Sequence, residues 1–355
     1  MGVARKLLEA VAIAAWAGFC QARSPDTPRP LTGAEEQTVA TCLTLIRGCQ
    51  LPDGAFAQAA PGDKPAAAVW IAPYFASYAA LALLADHART KNPDELARVR
   101  RWLVWCAKNQ SVNGYWNDFE GTAAVYANNG TVDAWDSSAA LFLLVAGRYH
   151  RAGGQATPDI TAAARRALAC LATVTDRDGL TWAKPDYKIK YLMDNIEVRA
   201  GLRSGAEFFA AAGSPVEAKQ AGDQAERIGR RLRDFWLPAD ALFAHALNRQ
   251  GTFEGGLHKP YPHGLAQLFG MAFVAPDRTA WMNVTRAFSP ETGPAAAPGA
   301  EWWLIAASRL GGRETQAWRA KMVQEVASFN PQSVYVYRPA LAVLALLEGA
   351  DWMPE

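Results

Sequence analysis

Residues 94–108 read DELARVRRWLVWCAK, residues 110–116 QSVNGYW and residues 137–146 SSAALFLLVA, and a Gly153-Gly154 pair follows. The first segment sets its charges on one face and an apolar stripe on the other, the pattern of a half-solvated outer helix. The third is apolar nearly all round and rich in small residues, so it must be buried on every side. Between them runs a long, aromatic-rich loop; after them comes only a tight turn. Helices joined by so short a connection are antiparallel neighbours.

The same unit recurs at a period of about fifty residues, the mark of repeated helical pairs. Helix-length blocks fall at 33–49, 73–90, 94–109, 132–150, 159–174, 191–212, 215–235, 262–274, 277–288, 299–310, 313–328 and 335–348. Long loops such as QLPDGAF (50–56) and DGLTW (178–182) follow the odd blocks, and joints such as Asn92-Pro93-Asp94, Gly213-Ser214-Pro215, Ala275-Pro276-Asp277 and Gly311-Gly312 follow the even ones. Segments 74–84 and 338–347 repeat the all-apolar character, whereas 216–235, with Lys219, Asp223, Glu226, Arg230 and Arg233, repeats the amphipathic one. Even helices inside and odd helices outside define an all-α fold, an (α/α)6 toroid. All its long loops share one face, and loops on a rigid scaffold carry function.

At 355 residues and 50% hydrophobic content, the chain exceeds the ~100–200 residues of a typical domain, yet a single toroid over 23–355 accounts for it without a linker. Residues 1–22 read as an export signal or anchor. Arg5 and Lys6 precede an apolar stretch, a proline-rich polar segment follows, and Cys20 would be the site of a lipid anchor. The remainder is expected to be secreted or periplasmic and monomeric. No later apolar run reaches the ~18–20 residues that span a bilayer. A net charge of +2 with dispersed charges offers no electrostatic footprint for nucleic acid. Cys42, Cys49, Cys106 and Cys170 form no CxxC pair and read as small buried hydrophobes. His258 and His263 bracket Lys-Pro-Tyr-Pro, which forbids the helical spacing of a metal pair. No metal or cofactor is therefore expected, and neither a nucleophile elbow nor a phosphate loop is present.

The long loops lead into the first turns of the inner helices, which should face a central cavity. Those turns hold Tyr74; Asp133 and Asp136; Asp194 and Glu197; Tyr261 and His263; Glu301, Trp302 and Trp303; and Tyr335 and Tyr337. An aspartate at one helix start is accounted for by capping and the helix dipole; several acids beside aromatics on one rim point to a site. The loops add Asp53, Trp116, Trp182, Lys184 and Asp186. Paired carboxylates in an aromatic cleft are what cleavage of a glycosidic bond needs. One protonates the leaving oxygen, the other activates water or attacks the sugar, and their environments must split their pKa values. Catalysis is expected from Asp53, Asp136, Asp194 and Glu197. Asp194 and Glu197 share one face of one helical turn, so a working pair takes its other member from across the cavity, where Asp53 is the candidate. Substrate contacts are expected from Tyr74, Trp116, Asp133, Trp182, Lys184, Asp186, His263, Trp302 and Tyr337, with Trp116, Trp182 and Tyr74 as a sugar-stacking wall. The partner would be a poly- or oligosaccharide.

The segment 132–144, VDAWDSSAALFLL, resembles the Asp-x-x-Asp element that opens an inner helix in six-hairpin glycosidases, notably family 8 glycoside hydrolases. That resemblance implies that Asp136 contacts the sugar at the cleavage subsite. Residues 179–186 with 191–198 are similar to a block in secreted bacterial six-hairpin proteins. Family 8 carries its general acid in a Ser-Glu-Gly segment at the second helix, but 70–78 here (WIAPYFASY) has no acid, and 260–267 (PYPHGLAQ) has no Asp for the base. The catalytic pair of that family is therefore not transferred. A polysaccharide lyase is the main alternative, with Tyr74, Tyr261 and His263 as base and acid and Lys184, Lys188 and Lys190 as a thin cationic cluster. A glycan-binding toroid without catalysis is another. QSVNGYW and QLPDGAF also resemble the Gln/Trp repeats of triterpene cyclases, but the acidic motif of that family needs adjacent aspartates, and Trp135 separates Asp133 from Asp136.

Overall fold

The computed structural model describes residues 30–62, 66–288 and 299–353. The expected export segment 1–22, with Cys20, lies outside the described residues. From Gly33 onward the chain forms one compact unit. Among the described residues it holds α1 (Gly33–Gly48), α2 (Pro73–Thr90), α3 (Pro93–Asn109), α4 (Trp135–Arg151), α5 (Pro158–Val174), α6 (Leu192–Ala211), α7 (Pro215–Leu232), α8 (Leu265–Phe273), α9 (Arg278–Phe288), α10 (Ala300–Leu310), α11 (Arg313–Val326) and α12 (Tyr337–Leu347). Each matches a block expected from the sequence, with ends moved by a few residues. Helices α2, α4, α6, α8, α10 and α12 pack in succession, and α12 returns to α2, which closes the ring. The odd helices lie outside it. In α7 the buried positions Ala221, Gln224, Ala225, Ile228 and Leu232 form one stripe, whereas α2 is buried continuously from Ala76 to Asp86; the two kinds of helix face thus sort into two layers.

Proline stands in the first turn of α2, α3, α5 and α7, where its missing N–H breaks no helical bond. Asn92 caps α3 by accepting from Asp94 N at 3.1 Å, and Thr157 caps α5 by accepting from Ile160 N at 3.4 Å. Glycine decides how α4 meets α6. A Cβ on Gly147 would stand 2.3 Å from the Ser204 carbonyl oxygen, and one on Gly201 2.2 Å from that of Ala140. The two backbones touch because neither residue has one. This contact sets the start of α4 beside the start of α6.

The Gln-x-x-x-Gly repeats are packing devices. Gln110 Nε2 donates to the Gly114 carbonyl at 2.9 Å and to that of Ala163 on α5 at 3.1 Å. Gln50 does the same with Gly54, at 3.2 Å, and with Arg98 on α3, at 2.9 Å. Each repeat thus ties an outer helix to the next and sends its aromatic, Phe56 or Trp116, into the core.

The long loops are not wholly irregular. Neighbouring loops lie side by side and pair backbone groups that would otherwise lack partners. Strand β1 (Ala68–Ile71) pairs antiparallel with β2 (Phe119–Thr122), which pairs with β3 (Tyr126–Asn128). Strand β4 (Lys190–Tyr191) meets a later loop that contains β5 (Trp236–Leu237), β6 (Leu242–Phe243), β7 (Ala246–Leu247) and β8 (Phe253–Glu254), in the order β4-β7-β8 with β5-β6 as a hairpin. Cys42, Cys49, Cys106 and Cys170 are buried and free. No helix among the described residues is long and apolar enough to cross a membrane.

Candidate active site

A cavity of about 590 Å³ opens at the N-terminal ends of the inner helices. Every inner helix or the loop before it contributes to the lining: Tyr74, Phe75 and Tyr78; Asp133 and Ser137; Lys184, Tyr187, Tyr191 and Asp194; Tyr261 and Phe269; Glu301 and Trp302; Tyr337 and Arg338. Aromatic rings pair along this wall, Phe75 with Tyr337 at 4.9 Å between centroids and Phe269 with Trp302 at 4.4 Å. Such a surface offers flat apolar faces interrupted by a few polar groups, as small-molecule sites do.

Three acids meet where α4 abuts α6. Asp194, in the first turn of α6, reaches the cavity. Burial pushes its carboxyl well above the usual range; the charges of Asp136, Glu197 and Asp133 add to the shift, and the Ser137 hydroxyl opposes it. Glu197, one turn further on, is fully buried. Its Oε1 accepts from Tyr74 Oη at 2.9 Å and Tyr78 Oη at 2.5 Å. Burial nevertheless pushes it up to about 7, against those donors, and its Oε2 has no hydrogen-bond partner. Asp136 is also fully buried. It accepts from the Thr181 hydroxyl at 2.7 Å and from Ser137 N at 2.8 Å, and burial pushes it up to about 7. Like charges in a dry site cannot all ionise, so this cluster retains protons near neutrality. Asp133 is exposed at the mouth.

The loop before α6 is anchored from below. Lys190 is buried; its Nζ donates to Asp176 at 2.6 Å and Asp178 at 2.7 Å and stands 4.1 Å from the centre of the Trp182 ring. The carboxamide of Asn195 accepts from Thr181 N at 2.8 Å and donates to the Tyr191 carbonyl at 3.0 Å. These bonds fix Lys184, Tyr187 and Tyr191 over the cavity. Opposite them, Arg338 is held between Glu301 and Glu325.

Of the residues expected from sequence, Asp194, Asp133, Tyr74, Lys184, Trp302 and Tyr337 line the cavity. The others are placed elsewhere. Asp136, which the family 8 resemblance puts against the sugar, is sealed beneath the lining with both carboxylate oxygens engaged. Glu197 lies behind Tyr74 and Tyr78. Asp53 sits on the turn after α1, bonded to Tyr126 Oη and to Ala55 N, and is not among the residues that line the cavity. Trp116 is a core residue, 2% exposed, donating to the Cys106 carbonyl and packed on Phe142. Trp182 faces Lys190 and is not among the residues that line the cavity, whose aromatic rings are those of tyrosines, phenylalanines and Trp302. Asp186 is exposed outside the lining. The ring of His263 packs on those of His245, at 4.3 Å, and His258, at 5.3 Å, away from the cavity. Among the described residues, no group of His, Cys, Asp or Glu is arranged to hold a metal ion. Tyr78, Ser137, Phe269 and Arg338 were not singled out from sequence. Tyr78 had a signal, since it follows Tyr74 by four residues on one helix face.

No protein-family model matches the chain, and no curated protein matches it. Solved structures do. A glycosidase in complex with glucose is 12% identical and aligns over 92% of this chain and 100% of its own, with a TM-score of 0.61. An α-amylase from Clostridium perfringens is 9% identical over 90% of this chain and 99% of that one, with a TM-score of 0.60. A D-mannose isomerase is 11% identical over 92% and 99%, also with a TM-score of 0.60. At these identities the likenesses speak for the fold, one shared with glycosidases, and do not single out family 8.

Proposed function

We propose that the protein is a glycoside hydrolase, with Asp194 as general acid and Asp133 as the carboxylate that activates water. The observation that carries this reading is that two carboxyl groups line one aromatic cavity in opposite settings, Asp194 desolvated and pushed toward its protonated form, Asp133 open to solvent. A contrast of this kind separates an acid from a base. Asp194 would donate its proton to the leaving glycosidic oxygen as the C–O bond breaks, and water would add to the anomeric carbon, giving its proton to Asp133. Glu197 and Asp136 act through Asp194 as positioning residues: burial is the main cause of its raised carboxyl, and the negative charge that either neighbour carries adds to it. Tyr74, Trp302 and Tyr337 supply stacking faces.

The lyase alternative loses support at its base. Burial and the neighbouring Glu197 push the Tyr74 phenol well above its ordinary value, burial pushes that of Tyr261, which lines the cavity, up to about 12, so both remain donors, and His263 stands outside the cavity lining. The deciding experiment incubates purified protein with a panel of glycans and reads products by mass spectrometry. Hydrolysis adds water, elimination leaves an unsaturated end, and a binding protein changes nothing.

A further inference from the structure

The far end of the toroid is closed by the segment that follows α12. The Trp352 side chain, fully buried, enters the ring axis from that side. Its ring meets Tyr78 of α2 at 5.6 Å, Phe273 of α8 at 5.8 Å and Trp302 of α10 at 6.4 Å between centroids. The segment is tied down from several sides. Arg148 of α4 donates to the Trp352 carbonyl at 2.9 Å and pairs with Glu348 at 2.5 Å. Ala350 N donates to Ser308 Oγ of α10 at 3.1 Å, and Arg309 pairs with Asp351 at 3.1 Å. Tyr78 and Trp302 are themselves lining residues of the cavity. The plug is thus in direct contact with the cavity floor, and a glycan that enters from the loop face cannot pass through.

Among the described residues, Tyr74, Asp133, Tyr187, Tyr261, Trp302 and Tyr337 belong to six different sectors of the ring, and all line the same space. Cavities of roughly 300–1,000 Å³ enclose ligands of drug size, the size of a disaccharide, and the 590 Å³ here corresponds to about twenty waters' worth of liquid at ~30 Å³ each. That is room for one or two sugar units.

We infer that the site is blind-ended and takes the terminal one or two units of a glycan chain, so that the substrate class is short oligosaccharides and chain ends. This rests on the hydrolase reading for its chemistry, each cut consuming one water and releasing the end unit, but the pocket's depth is testable by binding alone. Linear oligosaccharides of graded length, labelled at the reducing end, and the parent polymer of any glycan the panel shows to be cleaved are incubated with the whole protein and sampled early. The expected result is loss of one or two units per event, with polymer viscosity unchanged while new ends accumulate. Internal fragments of many lengths with an early fall in viscosity would overturn the inference and leave the hydrolase reading standing. In parallel, calorimetric titration of Asp194→Asn with the same ladder should show affinity rising from the mono- to the disaccharide and then levelling off. Affinity that keeps rising along the ladder overturns the blind pocket whether or not the wild type cleaves. Absence of cleavage on every glycan, with affinity levelling at the disaccharide, overturns the hydrolase reading and leaves the pocket supported.

Discussion

Replacing Glu197 by Gln isolates the effect of one buried charge. Glutamine keeps the shape, and its carbonyl oxygen still accepts from Tyr74 and Tyr78. Its amide takes the place of Oε2, which bonds to nothing in the wild type. Burial raises the glutamate from its ordinary 4.5 to about 7. A group whose folded-state pKa is raised contributes stability that is fully present below the unfolded value and is lost as pH climbs through the folded one. For Glu197 that window runs from about 4.5 to about 7. At about 1.4 kcal/mol per tenfold change in proton affinity, the loss is on the order of 3 kcal/mol. The difference in unfolding free energy between wild type and Glu197→Gln should therefore shift in the variant's favour by that order between pH 4.5 and 8, measured by urea denaturation at several pH values with unchanged m-values. The same substitution removes a negative charge behind Asp194, one cause of its raised carboxyl, so the alkaline limb of any hydrolytic pH profile should move to lower pH. A wild-type and variant pair whose stabilities run parallel across this window would refute the claim that Glu197 titrates there.

Other outcomes follow from the same geometry. Asp194→Asn should lower kcat by ~10²–10⁴-fold with the fold intact by circular dichroism, whereas Asp53→Asn, outside the cavity, should leave turnover within a small factor; equal effects of the two would remove Asp194 from the mechanism. Gly114→Ala should lower stability by at least ~1–2 kcal/mol through its left-handed backbone alone, with φ at 88° and a Cβ 2.1 Å from the Arg166 carbonyl oxygen, and a melting temperature that does not move would show that this turn adjusts freely. Lys190→Met leaves Asp176 and Asp178 without their shared partner, at a cost of about 1–3 kcal/mol, and should speed amide hydrogen exchange across residues 176–191; unchanged exchange there would mean that Asn195 holds the loop by itself.

The twelve helices and their sorting into two layers were legible in the sequence because burial on all sides and burial on one stripe leave different periodicities, and because loop length dictates which helices are neighbours. The position of Asp194 at the head of an inner helix was legible for the same reason. The rest of the site depended on contacts that no local pattern encodes. Asp133, Asp136, Asp194 and Glu197 all lie at the starts of inner helices, yet only Asp133 and Asp194 reach the cavity. Asp136 bonds to Thr181 and Glu197 to Tyr74 and Tyr78 of α2, both beneath the lining, and the close approach of α4 to α6 beside them depends on Gly147 and Gly201. Trp116 and Trp182 share a loop character with the cavity aromatics, but the Gln110 turn draws the first into the core and Lys190 covers the second. Trp352, which closes the axis, stands beyond the last helix and bears no mark in the sequence of what it fills. Periodicity reports which face of an element is buried; what that face is buried against is a property of elements distant in the chain, and only the folded ring brings them together.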